Sequence, residues 1–207
     1  MSNNLTPLEI DALTEIFNIG IGRAANSLNQ MVSQTVDLTI PTIEILPNKE
    51  AKEKLDLDTT MEISAVTQRF SGDFQGQALL MFSKENGLQL VSLLLGNKLP
   101  IEDLSELEQD SLVEIGNVIL NACFGTVINF LDSSISIEMP EFIQGNLNKI
   151  FTYSSEHDWS LYLKVKFCLP SENISGYISF IMDITSLEIF QESVRKFVFG
   201  VTSKALG

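Results

Sequence analysis

Three polar side chains recur at helical spacing near the start of the chain. In DALTEIFNIG, residues 11–20, they are Asp11, Glu15 and Asn18. At about 100° per residue, Glu15 sits about 40° to one side of Asp11 and Asn18 about 20° to the other, an arc of about 60°. An asparagine amide both accepts and donates hydrogen bonds, and it cannot act as a general base. An exposed glutamate is ionised at neutral pH, which suits it to docking rather than to proton abstraction. The stripe therefore offers charge complementarity and orientation of a small molecule.

A single such stripe is ordinarily a solvated helix face. Here it is written twice. Shifted by 99 residues, DALTEIFNIG falls on DSLVEIGNVI, residues 110–119, so that Asp11 meets Asp110, Glu15 meets Glu114 and Asn18 meets Asn117. Pro41 meets Pro140 at the same shift. Asparagine is a poor helix former in an interior, and nothing structural asks for it twice on an exposed face. Two glycines follow the first stripe. Gly22 lies beside it and keeps the surface next to Asn18 low, whereas Gly20 falls on the buried side and admits a neighbouring helix. The second copy has Ile119 and Asn121 at those positions.

The elements that must carry these residues are legible on both sides of the repeat. Opposite the first stripe lie Leu13, Ile16, Phe17, Ala24 and Leu28, and opposite the second Leu112, Ile115, Ile119, Cys123 and Phe130. These are the expected core faces. Thr6-Pro7-Leu8-Glu9 reads as a capping box with proline at the first helical position, and Ser105-Glu106-Leu107-Glu108 as a second box. Each helix is followed by a β-rich stretch ending at its proline, VDLTIP and ISIEMP. Two further strand-like runs then meet at a short turn, around Ser71-Gly72-Asp73 in the first half and Ser171-Glu172-Asn173 in the second. A helix closes each half, capped by Ser83 and by Asp183. The expectation is an α+β fold of about six strands and four helices, two helix–strand–strand–strand–helix halves with pseudo-two-fold symmetry sharing one antiparallel sheet. Residues 1–207 are read as a single domain of two repeats, about 1–98 and 99–207, because the segment between them is short.

Composition narrows the function. The chain has 207 residues, 44% of them hydrophobic, enough to bury a sizeable core. Its formal net charge of −14 repels phosphate backbones and anionic lipid, so neither nucleic acid nor a membrane surface is an expected partner. No run of eighteen apolar residues is present, and MSNNLTPLEI lacks the basic and apolar regions of a signal peptide, so a cytoplasmic protein is expected. Cys123 and Cys168 sit among apolar neighbours and read as core residues, while the single histidine, His157, reads as a loop-tip surface residue. No metal site is expected.

The two motifs, Asp11/Glu15/Asn18/Pro41 and Asp110/Glu114/Asn117/Pro140, make the chain resemble the CheC/CheX/FliY family of response-regulator aspartyl-phosphate phosphatases. That family's signature is Asp or Ser, three residues, Glu, two residues, Asn, then twenty-two residues and Pro. With two motifs and no appended domain, the chain looks most like the stand-alone CheC branch. The resemblance implies hydrolysis of the phospho-aspartate on a CheY-like receiver domain in chemotaxis or related two-component signalling. It implies that Asn18 and Asn117 orient the attacking water, that Glu15 and Glu114 pair with the receiver's lysine, and that Asp11 and Asp110 support the docking surface. Pro41 and Pro140 look structural. No cofactor of the chain's own is expected, and the Mg²⁺ would belong to the receiver. A CheD-like deamidase is a further partner the resemblance brings in, and a monomer is expected. A non-catalytic adaptor that binds a receiver or CheD through the same stripes is the competing reading.

Overall fold

The computed structural model describes residues 5–31, 35–55, 62–95, 101–151, 155, 158–168 and 173–205. His157, Ser171 and Glu172 lie outside the described residues, as do the side chains of Pro41, Cys168 and residues 105–108.

The chain opens with α1 (Pro7–Met31), which starts where the sequence places it. The Glu9 backbone N–H donates to Thr6 Oγ1 at 3.4 Å, and the Thr6 N–H donates to Glu9 Oε2 at 2.7 Å. This reciprocal pair satisfies two of the orphan donors at the helix start. Next come β1 (Asp37–Pro47), α2 (Asn48–Lys54), β2 (Ile63–Gly72) and β3 (Gly76–Ser83). The first half closes with α3 (Lys84–Leu94), whose cap is Ser83, accepting from the Asn86 N–H at 3.2 Å. The second half runs α4 (Ile101–Leu131), β4 (Ile135–Ile137), β5 (Glu141–Gly145), α5 (Leu147–Ile150), β6 (Trp159–Cys168), β7 (Asn173–Met182) and α6 (Ile184–Ala205). Asp183 caps α6 by accepting from the Ser186 N–H at 2.7 Å.

All seven strands join one antiparallel sheet in the order β1-β6-β7-β3-β2-β4, with β5 also paired to β2. If the halves are exchanged (β1 for β4 and β5, β2 for β6, β3 for β7) and the order is read backwards, the same order returns. The two halves interleave rather than stand side by side: β6 pairs with β1, and β7 with β3.

Four expectations are corrected. The β-stretch after α1 does not end at Pro41, because β1 continues to Pro47. It is an edge strand, and its register against β6 shifts between Thr39 and Thr42. An edge position and a bulge are where a strand tolerates a missing N–H. In the second half, the same element breaks around Pro140 into β4 and β5, which raises the strand count to seven. Helix α4 begins at Ile101, so Ser105 lies inside it and is not its cap. The short α2 and α5 add two helices to the four expected.

Strand alternation sorts the apolar residues onto two faces. Leu80, Phe82, Leu163, Val165, Ile178 and Phe180 join the main core beneath the long helices. Leu79, Met81, Tyr162, Tyr177 and Ile181 form a smaller core on the other face with Ile150 and Phe151. The long helices are seated on the sheet by a run of aromatic contacts. Phe17 of α1 meets Phe180 of β7 at 5.6 Å, Phe180 stacks on Phe124 of α4 at 5.2 Å, and Phe124 meets Phe70 of β2 at 4.5 Å. Such pairs contribute about 0.5–1.5 kcal/mol each beyond the area they bury. They fix the rotation of α1 and α4, and so fix which face of each helix meets solvent.

Candidate functional site

Both stripes lie on the face of their helix turned away from the core. Leu13, Ile16, Phe17, Ala24 and Leu28 are at most 1% exposed, and Asp11, Glu15 and Asn18 on the other side of α1 are exposed. On α4, Leu112, Ile115, Ile119 and Cys123 are buried, Asp110 and Glu114 are exposed, and Asn117 is half-buried. Phe130 departs from the expected pattern. It is 37% exposed and packs edge-on against Phe197 of α6 at 5.7 Å, while Val127 and Leu131 take the buried side at that end of α4. By length and composition, Gln109–Leu131 could cross a membrane. Its apolar character is accounted for by α4 packing against α1, α3 and the sheet.

Helices α1 and α4 run antiparallel. The end of α1, at Leu28 and Met31, shares a hollow of about 330 Å³ with Asp110, Glu114 and Ile115 of α4 and with Leu95. Further along, Gly20 faces the α4 backbone, where an added Cβ would lie 2.9 Å from Cys123 Cα and 3.0 Å from Ala122 O. The close approach read for Gly20 is therefore present. Gly22 has open space around it, with nothing within 4 Å of an added Cβ. The two stripes sit toward opposite ends of the helix pair, so they form two candidate sites rather than one. Each combines an anionic carboxylate with a neutral amide one turn on, an arrangement that can hold a cation and orient a water.

The second site has a feature that the repeat did not reveal. Asn121 Nδ2 donates to Asn117 Oδ1 at 2.6 Å. Asn121 Oδ1 in turn accepts from Gln68 Nε2 at 3.2 Å, and the same Nε2 donates to the Glu138 carbonyl at 2.9 Å. Gln68 is a buried residue of β2, 4% exposed. The sequence signal was present but faint: Asn121 lies one turn beyond Asn117, at the position Gly22 occupies in the first copy. Among the described residues, no group of three or more His, Cys, Asp or Glu side chains is placed to hold a metal ion.

Two family models match the chain, each over one copy of the motif. The CheC-like family model matches residues 8–45, and the chemotaxis phosphatase CheX model matches residues 64–164. These two matches, one on each copy of the motif, support the CheC/CheX/FliY family for this chain. The chain is 23% identical over 142 residues to the CheY-P phosphatase CheC of Bacillus subtilis, covering 67% of this chain and 68% of that one. The structure of Thermotoga maritima FliY matches with a TM-score of 0.74 at 19% identity, over 93% of this chain and 98% of that one. CheX in the CheX–CheY–BeF₃–Mg²⁺ complex from Borrelia burgdorferi matches with a TM-score of 0.52 at 22% identity, over 79% and 96%. These structural likenesses carry the fold: mixed helices over an antiparallel sheet, shared with FliY and CheX.

Proposed function

We propose that this chain hydrolyses the phospho-aspartate of a CheY-type receiver domain. The observation that carries the reading is the placement of Asn18, exposed, and Asn117, half-buried, each one turn after an exposed glutamate on a helix fixed to the sheet. It is supported by the family the matches point to, one of whose members, the B. subtilis CheC, is named a CheY-P phosphatase, and by the B. burgdorferi complex of CheX with CheY.

The chemistry asks little of the enzyme. Water attacks phosphorus in line, the bond from phosphorus to the aspartate oxygen breaks, and the receiver recovers its carboxylate as inorganic phosphate leaves with the water's oxygen. An acyl phosphate is already reactive, so holding the water in line supplies most of the acceleration. Asn18 and Asn117 hold it, each amide accepting from the water and donating to it. Glu15 and Glu114 pair with the receiver's lysine. At the second site, the hollow floored by Leu28, Leu95 and Ile115 takes the lysine's methylene stem while Glu114 meets its ammonium. Asp11 and Asp110 add to the acidic docking face, and the Mg²⁺ stays with the receiver. The work is cytoplasmic.

The test is phosphate release from a CheY-type receiver charged with acetyl phosphate, comparing wild type with the Asn18→Ala, Asn117→Ala double variant. A double variant that is as fast as wild type would exclude the mechanism. Tight receiver binding with no change in the phosphoryl lifetime would make the chain an adaptor.

A further inference from the structure

We infer that Asn121, held by Gln68, is a positioning residue for Asn117, and that it fixes which atoms of the Asn117 amide face the partner. The inference rests on the phosphatase reading for its catalytic consequence and on the hydrogen-bond chain for its geometry.

The direction of the chain is set by its buried end. The Glu138 carbonyl can only accept, so the Gln68 group facing it is the NH₂. That NH₂ gives its other hydrogen to Asn121, so the Asn121 atom facing it must be Oδ1. Asn121 then presents Nδ2 to Asn117, and the Asn117 atom that meets it must be Oδ1. Each amide orientation follows from the one before, and all of them follow from a backbone oxygen. The Asn117 NH₂ is left pointing away from Asn121. A carbonyl oxygen has two lone pairs, so Asn117 Oδ1 keeps one for a water after accepting from Asn121. An amide that would otherwise rotate about its last torsion is held with its donor and its free lone pair in one fixed arrangement.

Among the described residues, the first stripe has no counterpart to this hydrogen-bond chain. Gly22 takes the position of Asn121, and it has no side chain to hold Asn18. The two sites therefore differ in preorganisation although their motif letters are identical.

The experiment uses Asn121→Ala in an Asn18→Ala background, where only the second site can work. Position 121 is exposed on a helix and alanine is the best helix former, so the variant is expected to fold. Gln68 keeps its bond to the Glu138 carbonyl. With acetyl-phosphate-charged CheY-type receiver as substrate, kcat is expected to fall about tenfold, the effect of losing one net hydrogen bond, with KM within about twofold of the parent. In the free wild-type protein, the side-chain ¹⁵N order parameter of the Asn117 NH₂ is expected to exceed that of Asn18, and in the single Asn121→Ala variant, with Asn18 intact, to drop to the Asn18 value. An unchanged Asn117 order parameter in the variant overturns the positioning role. So does an unchanged kcat when the Asn18→Ala, Asn117→Ala double variant is inactive. If that double variant stays active, the phosphatase reading is what fails, and the order parameters still decide whether Asn121 holds Asn117.

Discussion

Gly20 of α1 lies against Cys123 of α4 so closely that a Cβ on the glycine would stand 2.9 Å from the Cys123 Cα. The contact is with backbone, which cannot swing aside, and it occurs where the two site-bearing helices cross. Gly20→Ala is expected to destabilise the fold by about 1–3 kcal/mol through overpacking. Gly22, two residues on, has open space, so Gly22→Ala should stabilise it by roughly 0.5–1 kcal/mol. Urea unfolding midpoints measure both. A midpoint for Gly20→Ala that is unchanged or raised would show that the crossing is not tight at Gly20.

The start of α1 depends on a reciprocal pair of bonds between Thr6 and Glu9. Thr6→Ala removes the hydroxyl cap and is expected to cost about 1 kcal/mol of stability. Glu9 is buried and lies 3.8 Å from Arg195 Nε of α6, so it also ties the helix start to the end of the chain. Thermal unfolding should rank Glu9→Ala below Thr6→Ala. The reverse order would mean that the cap alone sets the helix start.

The Cys123 thiol is fully buried, and desolvation pushes its pKa up to about 12 from 9.0. Ionisation is easier in the unfolded chain, so the neutral thiol's contribution is fully present below about pH 9 and is lost as pH rises from there toward 12. At pH 8, native protein treated with iodoacetamide is expected to leave Cys123 unmodified, and protein in denaturing urea to be labelled there; peptide mass spectrometry locates the label. Rapid labelling of Cys123 in the native state would contradict its burial.

Docking should depend on the two glutamates. Glu15→Ala combined with Glu114→Ala is expected to raise the Kd for a CheY-type receiver by about 30-fold or more, since truncating one partner of a desolvated charge pair costs ~2–5 kcal/mol. Calorimetric titration measures it. Affinity unchanged by both substitutions would remove the glutamates from the interface.

Local signals carried much of the fold. Thr6, Ser83 and Asp183 announce helix starts because a capping side chain acts within three residues of itself. The core faces of α1 and α4 follow from helical periodicity. What failed depended on neighbours distant in sequence. Proline at position 41 ends a strand or merely bulges it according to whether the strand has one partner or two, and β1 has one, β6. Phe130 left the core because α6 supplies Phe197 to cover it from outside. The site divides in the same way. Both stripes were legible because their spacing is local and repeated. Gln68 was not, because it reaches Asn121 from a strand 53 residues earlier in the chain.

The central claim is that the two asparagines do the chemistry. It is tested most directly by the rate of phosphate release from an acetyl-phosphate-charged CheY-type receiver in the presence of the Asn18→Ala, Asn117→Ala double variant. The predicted result is a rate equal to the receiver's own spontaneous loss, with receiver binding retained through Glu15 and Glu114. Acceleration equal to that of wild type would contradict the account.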